Sequence, residues 1–296
     1  MRGTNMRFEN FLGRGLAATV AFTTFVLLVV GCSRWCLAQQ SRPKTFSSAE
    51  EASRSLFVAV QNHDEQAVEA ILGAEKEVAW SGDESVDNLE RERFSQKYQE
   101  MHRLIQEPDG TTVLYIGAEN WPFPFPLLSK NGAWYFDSGN GRQEVLFRHI
   151  GKNEVTAIQT CSALVLAEKQ SKTKPDADDP VSQYAQSFVS TGLNAGNEAP
   201  TTQNKDSVPF HGYYFRLLTR QGKNAPGGAK SCVSNGKMIG GCAFIAYPAE
   251  YRSSGVITFI VNQDGVVYEK DLGPNTAKLA KAITTYNPDQ TWHKAK

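Results

Sequence analysis

The chain has 296 residues, which at about 150 residues per domain points to about two structural units. Hydrophobic residues make 41% and charged residues 21%, and 31 Lys and Arg balance 31 Asp and Glu. That composition excludes a disordered chain, a polytopic membrane protein and a basic nucleic-acid binder, and leaves a soluble globular product as the expectation.

Arg2, Arg7 and Arg14 precede an uncharged, mostly apolar run from Gly15 to Gly31. A basic n-region followed by an h-region is the pattern of an export signal. The run is marginal for a hydrocarbon core of ~30 Å at about 1.5 Å per residue, so cleavage is expected rather than a permanent anchor. Cys36-Leu37-Ala38 before Gln39 places small residues ahead of the scissile bond, and residues 1–38 read as a signal peptide. The alternative is Val29-Val30-Gly31-Cys32, which resembles a bacterial lipobox and would tether the chain through acyl groups on Cys32. A periplasmic or secreted product is expected, with membrane contact only through the export signal or that lipid. Removing residues 1–38 takes away four basic residues and one acid and leaves 27 positive against 30 negative charges. Such a balance attracts neither nucleic acid nor anionic lipid.

Residues 39–141 read as an α+β half. Ser47-Ser48-Ala49-Glu50-Glu51 holds overlapping capping boxes, and Ala52, Leu56, Ala59 and Val60 then recur at helical spacing. Asp64 is a second N-cap, with Gly73 as the stop of that helix. Leu89, Phe94, Tyr98, Met101 and Leu104 predict a third helix. Strands follow at Thr111–Ala118, through the Pro-interrupted Trp121–Leu128, and after the Asn131-Gly132 turn at Ala133–Phe136. Prolines 122, 124 and 126 donate no ladder hydrogen bonds, which makes that segment peripheral at its start. Trp121, Phe123 and Phe125 fit either a ligand-stacking platform or core.

Residues 142–171 return to helical spacing through Leu146, Ile150, Ile158, Cys161 and Val165, with a break expected at Gly151-Lys152-Asn153. Residues 172–209 form a polar surface excursion. Residues 210–296 form a second, antiparallel half with strands at Tyr213–Leu218, Cys242–Tyr247, Gly255–Asn262 and Val266–Lys270, and a closing helix within Pro274–Tyr286. Cys161, Cys232 and Cys242 remain after cleavage. Cys161 lies on an apolar helical stripe, where a small buried hydrophobe is expected. Cys232 and Cys242 flank the hairpin signal Asn235-Gly236, and a disulfide across it is expected. A two-residue turn sets Cys232 opposite Ile239 and Cys242 opposite Ala229, so the bond needs a bulge at Gly240-Gly241; two free strand cysteines are the alternative.

No nucleophile elbow, H-E-x-x-H, Walker A loop or C-x-x-C occurs in residues 39–296. Gly139-Asn-Gly141-Arg-Gln-Glu144 puts Glu where a dinucleotide fingerprint needs its third glycine. Asp176-Ala-Asp178-Asp179 departs from a calcium loop at Val181. His63, His102, His149, His211 and His293 have no metal spacing, so neither a metal nor a cofactor is expected. The densest polar cluster is Arg142, Glu144, Arg148, Lys152, Asn153 and Glu154, in which Glu144 and Arg148 are spaced to pair on one helical face. The Arg142/Arg148 face is the candidate site for a carboxylate or phosphate ligand, with Glu144, Trp121 and His211 as its companions.

The segments Phe46-Ser-Ser-Ala-Glu-Glu-Ala52, Trp121-Pro-Phe-Pro, Gly132-Ala-Trp-Tyr-Phe-Asp137, Gly141-Arg-Gln-Glu144, His211-Gly-Tyr-Tyr-Phe-Arg-Leu-Leu218, Ala225-Pro-Gly-Gly228, Asn235-Gly-Lys-Met-Ile-Gly-Gly241, Thr258-Phe-Ile-Val-Asn-Gln-Asp-Gly265 and Lys270-Asp-Leu-Gly273 together resemble bacterial domain of unknown function family 2950. The resemblance covers nearly all of residues 39–296 and implies a secreted or periplasmic protein. Aromatic residues are the commoner choice of that family at the places of Cys232 and Cys242, and the paired departure favours a local disulfide. By pattern alone, the first half is similar to cystatin-like or nuclear-transport-factor-like α+β folds, and the long helix with the second sheet is similar to pseudopilin heads. Fold analogy gives no function. The expected function is an envelope binding or structural module whose partner is an envelope protein or a small anionic ligand. The alternative is a periplasmic hydrolase that assembles Cys161 or a serine with His211 and a carboxylate.

Overall fold

The computed structural model describes residues 43–73, 84–169, 187, 208–234, 237–238 and 243–295. The signal segment with Cys32 and Ala38, nearly all of the excursion 172–209, the Asn235-Gly236 turn and Cys242 lie outside the described residues. Helix α1 (Ala49–Gln61) starts where Ser48 Oγ accepts the Glu51 amide at 3.1 Å and Glu51 Oε2 accepts the Ser47 amide at 2.8 Å. Ser48 caps the helix as the serine-glutamate spacing predicts, while Glu51 reaches one residue beyond the N-cap, to Ser47. Helix α2 (Glu65–Leu72) is capped by Asp64 Oδ1, which accepts the Ala67 amide at 2.9 Å, and stops at Gly73 in the left-handed region. Helix α3 (Glu84–Glu100) follows.

Met101 and Leu104 do not continue that helix. The chain reverses and His102–Gln106 forms β1, antiparallel to β2 (Thr112–Ile116) with Leu104 opposite Leu114. Helical spacing from Tyr98 to Leu104 is overridden because Leu104 packs beside Tyr98, Leu114 and Ile116 as part of a strand. β3 (Trp121–Pro122) pairs with β2, while β4 (Leu127–Lys130) and β5 (Ala133–Phe136) make the expected hairpin. Its turn has φ of 54° at Asn131 and 77° at Gly132, the left-handed pair that a two-residue hairpin loop requires. The sheet runs β1-β2-β4-β5, and α1 and α2 bury Leu56, Val60, Val68 and Ile71 with Phe125, Leu127 and Phe136.

Helix α4 (Ser138–Lys169) is a single helix of 32 residues, about 48 Å long. The break expected at Gly151-Lys152-Asn153 is absent. An interior glycine costs ~1 kcal/mol relative to alanine, and tertiary anchors just beyond it offset that. Buried Asn153 donates from Nδ2 to the Ser254 carbonyl at 2.9 Å, and Glu154 Oε1 accepts the amides of Val256 and Ile257 at 2.9 and 3.1 Å. At the other end, Gly141 lets the first turn lie against Phe125, since a Cβ there would collide with the ring.

The second half begins with β6 (Tyr213–Leu218), followed by the short strands β7 (Arg220–Gln221), β8 (Lys230–Ser231), β9 (Val233–Ser234) and β10 (Lys237–Met238). β9 and β10 are antiparallel and pair Ser234 with Lys237 and Val233 with Met238. β11 (Ala243–Pro248), β12 (Ile257–Asn262) and β13 (Val267–Asp271) lead to α5 (Thr276–Ala282), β14 (Thr285–Tyr286) and β15 (His293–Lys294). The main sheet is antiparallel in the order β15-β13-β12-β11-β6, while β14 joins β7 in parallel in a smaller sheet. Cys161, Leu164 and Val165 of α4 pack on Phe215, Phe244, Phe259 and Val261. Ala280 of α5 covers Leu218, Ile245 and Ile260 on the opposite face. With both faces covered, every residue of β11 is buried, which is why it reads as an unbroken apolar run.

Candidate functional site

Asp87, Arg91, Phe94 and Tyr98 are spaced to share one face of α3. At the C-terminal end of that face Tyr98 is buried, with its hydroxyl 3.0 Å from Ser53 Oγ and its ring stacked on Phe57 at 4.5 Å and on His102 at 4.0 Å. Toward the N-terminus Arg91 is only 7% exposed; it donates to Glu65 Oε1 at 3.2 Å and to Asn88 Oδ1 at 3.0 Å.

Between these elements lies a pocket of about 490 Å³. Leu56 and Val60 of α1, Val68 and Leu72 of α2, and Ile116, Trp121, Phe123 and Pro124 from the sheet side form its apolar walls. The α3 wall presents Phe94 together with Asp87, Glu90, Arg91, Arg93 and Lys97. Its volume falls within the ~300–1,000 Å³ typical of small-molecule sites. Among the described residues, three ion pairs border it: Arg91–Glu65 at 3.2 Å, Arg93–Glu90 at 3.0 Å and Lys97–Glu119 at 2.7 Å. The Lys97 hydrogen bond holds the Glu119 carboxyl below the usual carboxylate range.

Trp121 joins this pocket to the polar cluster singled out in the sequence. Arg148 reaches from α4 to place its guanidinium 4.8 Å from the Trp121 ring centroid. It donates from Nε to Glu144 Oε1 at 2.7 Å and from Nη1 to the Pro122 carbonyl at 2.9 Å. One arginine thus pins β3 to α4, with Trp121 40% exposed between Arg148 and the pocket. Glu144, Arg148 and Trp121 therefore come together. Arg142 is half-buried on α4; six residues from Arg148 at about 100° per residue, it is turned about 120° away. His211 is exposed in the turn before β6, edge-on to Phe210 at 4.5 Å, and belongs to the second half.

Cys161 is fully buried in the second core, and burial pushes its thiol up to about 12. It is therefore a neutral thiol at neutral pH and supplies no nucleophile for a partnership with His211. Cys232 is buried, and its expected partner Cys242 is among the residues not described. Among the described residues, no three His, Cys, Asp or Glu side chains converge as metal ligands.

The pocket itself was not foreseen. The signal available in the sequence was Arg91, a charge on the same helical stripe as Phe94 and Tyr98; a buried cation on an inward stripe marks a place where the interior is not filled by apolar side chains alone.

A family model described as protein of unknown function (DUF2950) matches residues 43–198 and 192–295. No curated protein and no solved structure matches the chain.

Proposed function

The chain belongs to the DUF2950 family of proteins of unknown function, and from that premise we propose that it is an exported binding module which holds a small, largely apolar molecule between its N-terminal helices and sheet. The carrying observation is the pocket of about 490 Å³, apolar on three sides and bordered by Trp121. Burial of apolar ligand surface against such walls stabilises a complex without any catalytic group. Export rests on the basic and apolar segments before Gln39, and an intact mass beginning at Gln39 is its test. A Cys232–Cys242 bond belongs to the same proposal. Unfolded without reductant, the mature chain should then expose one reactive thiol, and three would exclude the bond.

Binding is tested with the neutral apolar dye N-phenylnaphthylamine, whose fluorescence rises in a dry site. One saturable site is expected, weakened at least about tenfold by Trp121→Ala or Phe123→Ala. His211→Ala, in the other half, should leave it unchanged. Equal dye binding by all three variants would remove the pocket as the site.

A further inference from the structure

We infer that the pocket selects single-chain amphiphiles with an anionic head, the head lying against α3 and the apolar body against α1, α2 and Trp121. This rests on the binding reading above and adds the sign of the ligand. The first observation is the division of the wall: among the described residues, every charged lining residue comes from α3, and the other elements contribute apolar side chains. A ligand that is polar throughout would lose hydration against Leu56, Val60 and Val68 without compensation. A wholly apolar one would cover the α3 charges.

The second observation decides the sign. In two of the three ion pairs at the pocket, the cation is the deeper partner. The Arg91 side chain is 8% exposed against 47% for Glu65, and Lys97 is 33% exposed against 67% for Glu119. The third pair, Arg93 with Glu90, is near even at 58% and 62%. Water screens the outer carboxylates more than the inner cations, because Coulomb interactions weaken as the effective dielectric rises. The lining itself sets Arg91, Arg93 and Lys97 against Asp87 and Glu90, three cations against two carboxylates, so a ligand in the pocket experiences net positive potential from the α3 wall. Arg91 and Lys97 are the groups a carboxylate head would approach, the guanidinium offering a planar fork of donors.

The test compares three ligands that share one alkyl chain: dodecanoate, dodecanol and dodecyltrimethylammonium, titrated calorimetrically into the mature chain. Dodecanoate should bind at least about tenfold tighter than the trimethylammonium compound, with dodecanol between them. Arg91→Met and Lys97→Met, tested separately, should each narrow that ratio while leaving dodecanol affinity within about twofold, which shows that the pocket is intact. Equal affinity for the anionic and cationic compounds, or an unchanged ratio in both variants, would overturn the sign inference and leave the binding reading standing. If none of the three compounds binds, the binding reading falls as well.

Discussion

The two sheets of this protein are covered in different ways, and the first borders the pocket described above. In the second half α4 and α5 lie on opposite faces, β11 is buried at every position, and Tyr213, Phe259, Leu164 and Ile245 are nearly or fully inaccessible. In the first half β2 alternates buried and half-buried residues, and three helices share one small sheet face. The helices must pack on each other as well as on the strands, and the volume they leave between them is the pocket. A single helix can follow a sheet face closely. Three helices around one face can build a wall of mixed chemistry, apolar from α1 and α2 and charged from α3.

The largest expected effect lies on the packed side of that contrast. Phe259→Ala should cost about 3–5 kcal/mol, because the ring leaves a cavity that its neighbours cannot collapse into. Phe123→Ala should cost clearly less, since half-buried Phe123 already borders open volume. Denaturant melts of the two variants measure the difference, and equal losses would mean that the first half is as tightly packed as the second.

Asn153→Ala ranks next, at about 1–3 kcal/mol, because it removes a buried donor to the Ser254 carbonyl. An unchanged melt would show that α4 is held to the second half by its apolar stripe alone. Alkaline pH should weaken the same half. The Cys161 thiol is pushed up to about 12 by burial, and burial also raises the Tyr213 and Tyr286 hydroxyls. With an unfolded thiol near ~8.5, the Cys161 contribution is fully present below that pH and is lost as pH rises toward the folded value, at roughly 1.4 kcal/mol per pH unit. Melting temperatures measured from pH 8 to pH 10.5 should fall less steeply in Cys161→Ala. Identical slopes would assign the loss to other groups. The smallest effect is expected of Arg148→Ala, below ~1 kcal/mol, since its ion pair with Glu144 is partly exposed. Dye affinity should nevertheless fall, because Trp121 loses the group that stacks on it. A large loss of stability with unchanged dye binding would make Arg148 purely structural.

Local chemistry was legible in the sequence wherever a few neighbouring residues decide the outcome. Ser48, Asp64 and Gly73 cap their helices, Asn131-Gly132 turns its hairpin, and Cys161 is buried, as their immediate surroundings indicate. The i,i+4 pairing of Glu144 with Arg148 was legible for the same reason. Leu104 was misread because Tyr98, Met101 and Leu104 keep helical spacing across a chain reversal, and only the pairing with Leu114 shows otherwise. Gly151 was misread because its local cost is visible while the anchors of Asn153 and Glu154, about a hundred residues away in sequence, are not. The pocket draws on α1, α2, α3 and the segment around Trp121, so no stretch of sequence holds its outline.

The continuity of α4 also sets a schedule for the growing chain. Its stripe of Cys161, Leu164 and Val165 rests on β11 and β12, and Phe259 and Val261 are synthesised about a hundred residues later. Phe215 follows sooner, but at ~5–20 residues per second that stripe waits roughly 5–20 seconds before these last partners exist. The first half meets no such delay, because α1 through β5 and the start of α4 emerge in one uninterrupted run. Newly made chains therefore pass through an interval with one half complete and a long apolar helix edge still uncovered, and in that interval aggregation competes with folding.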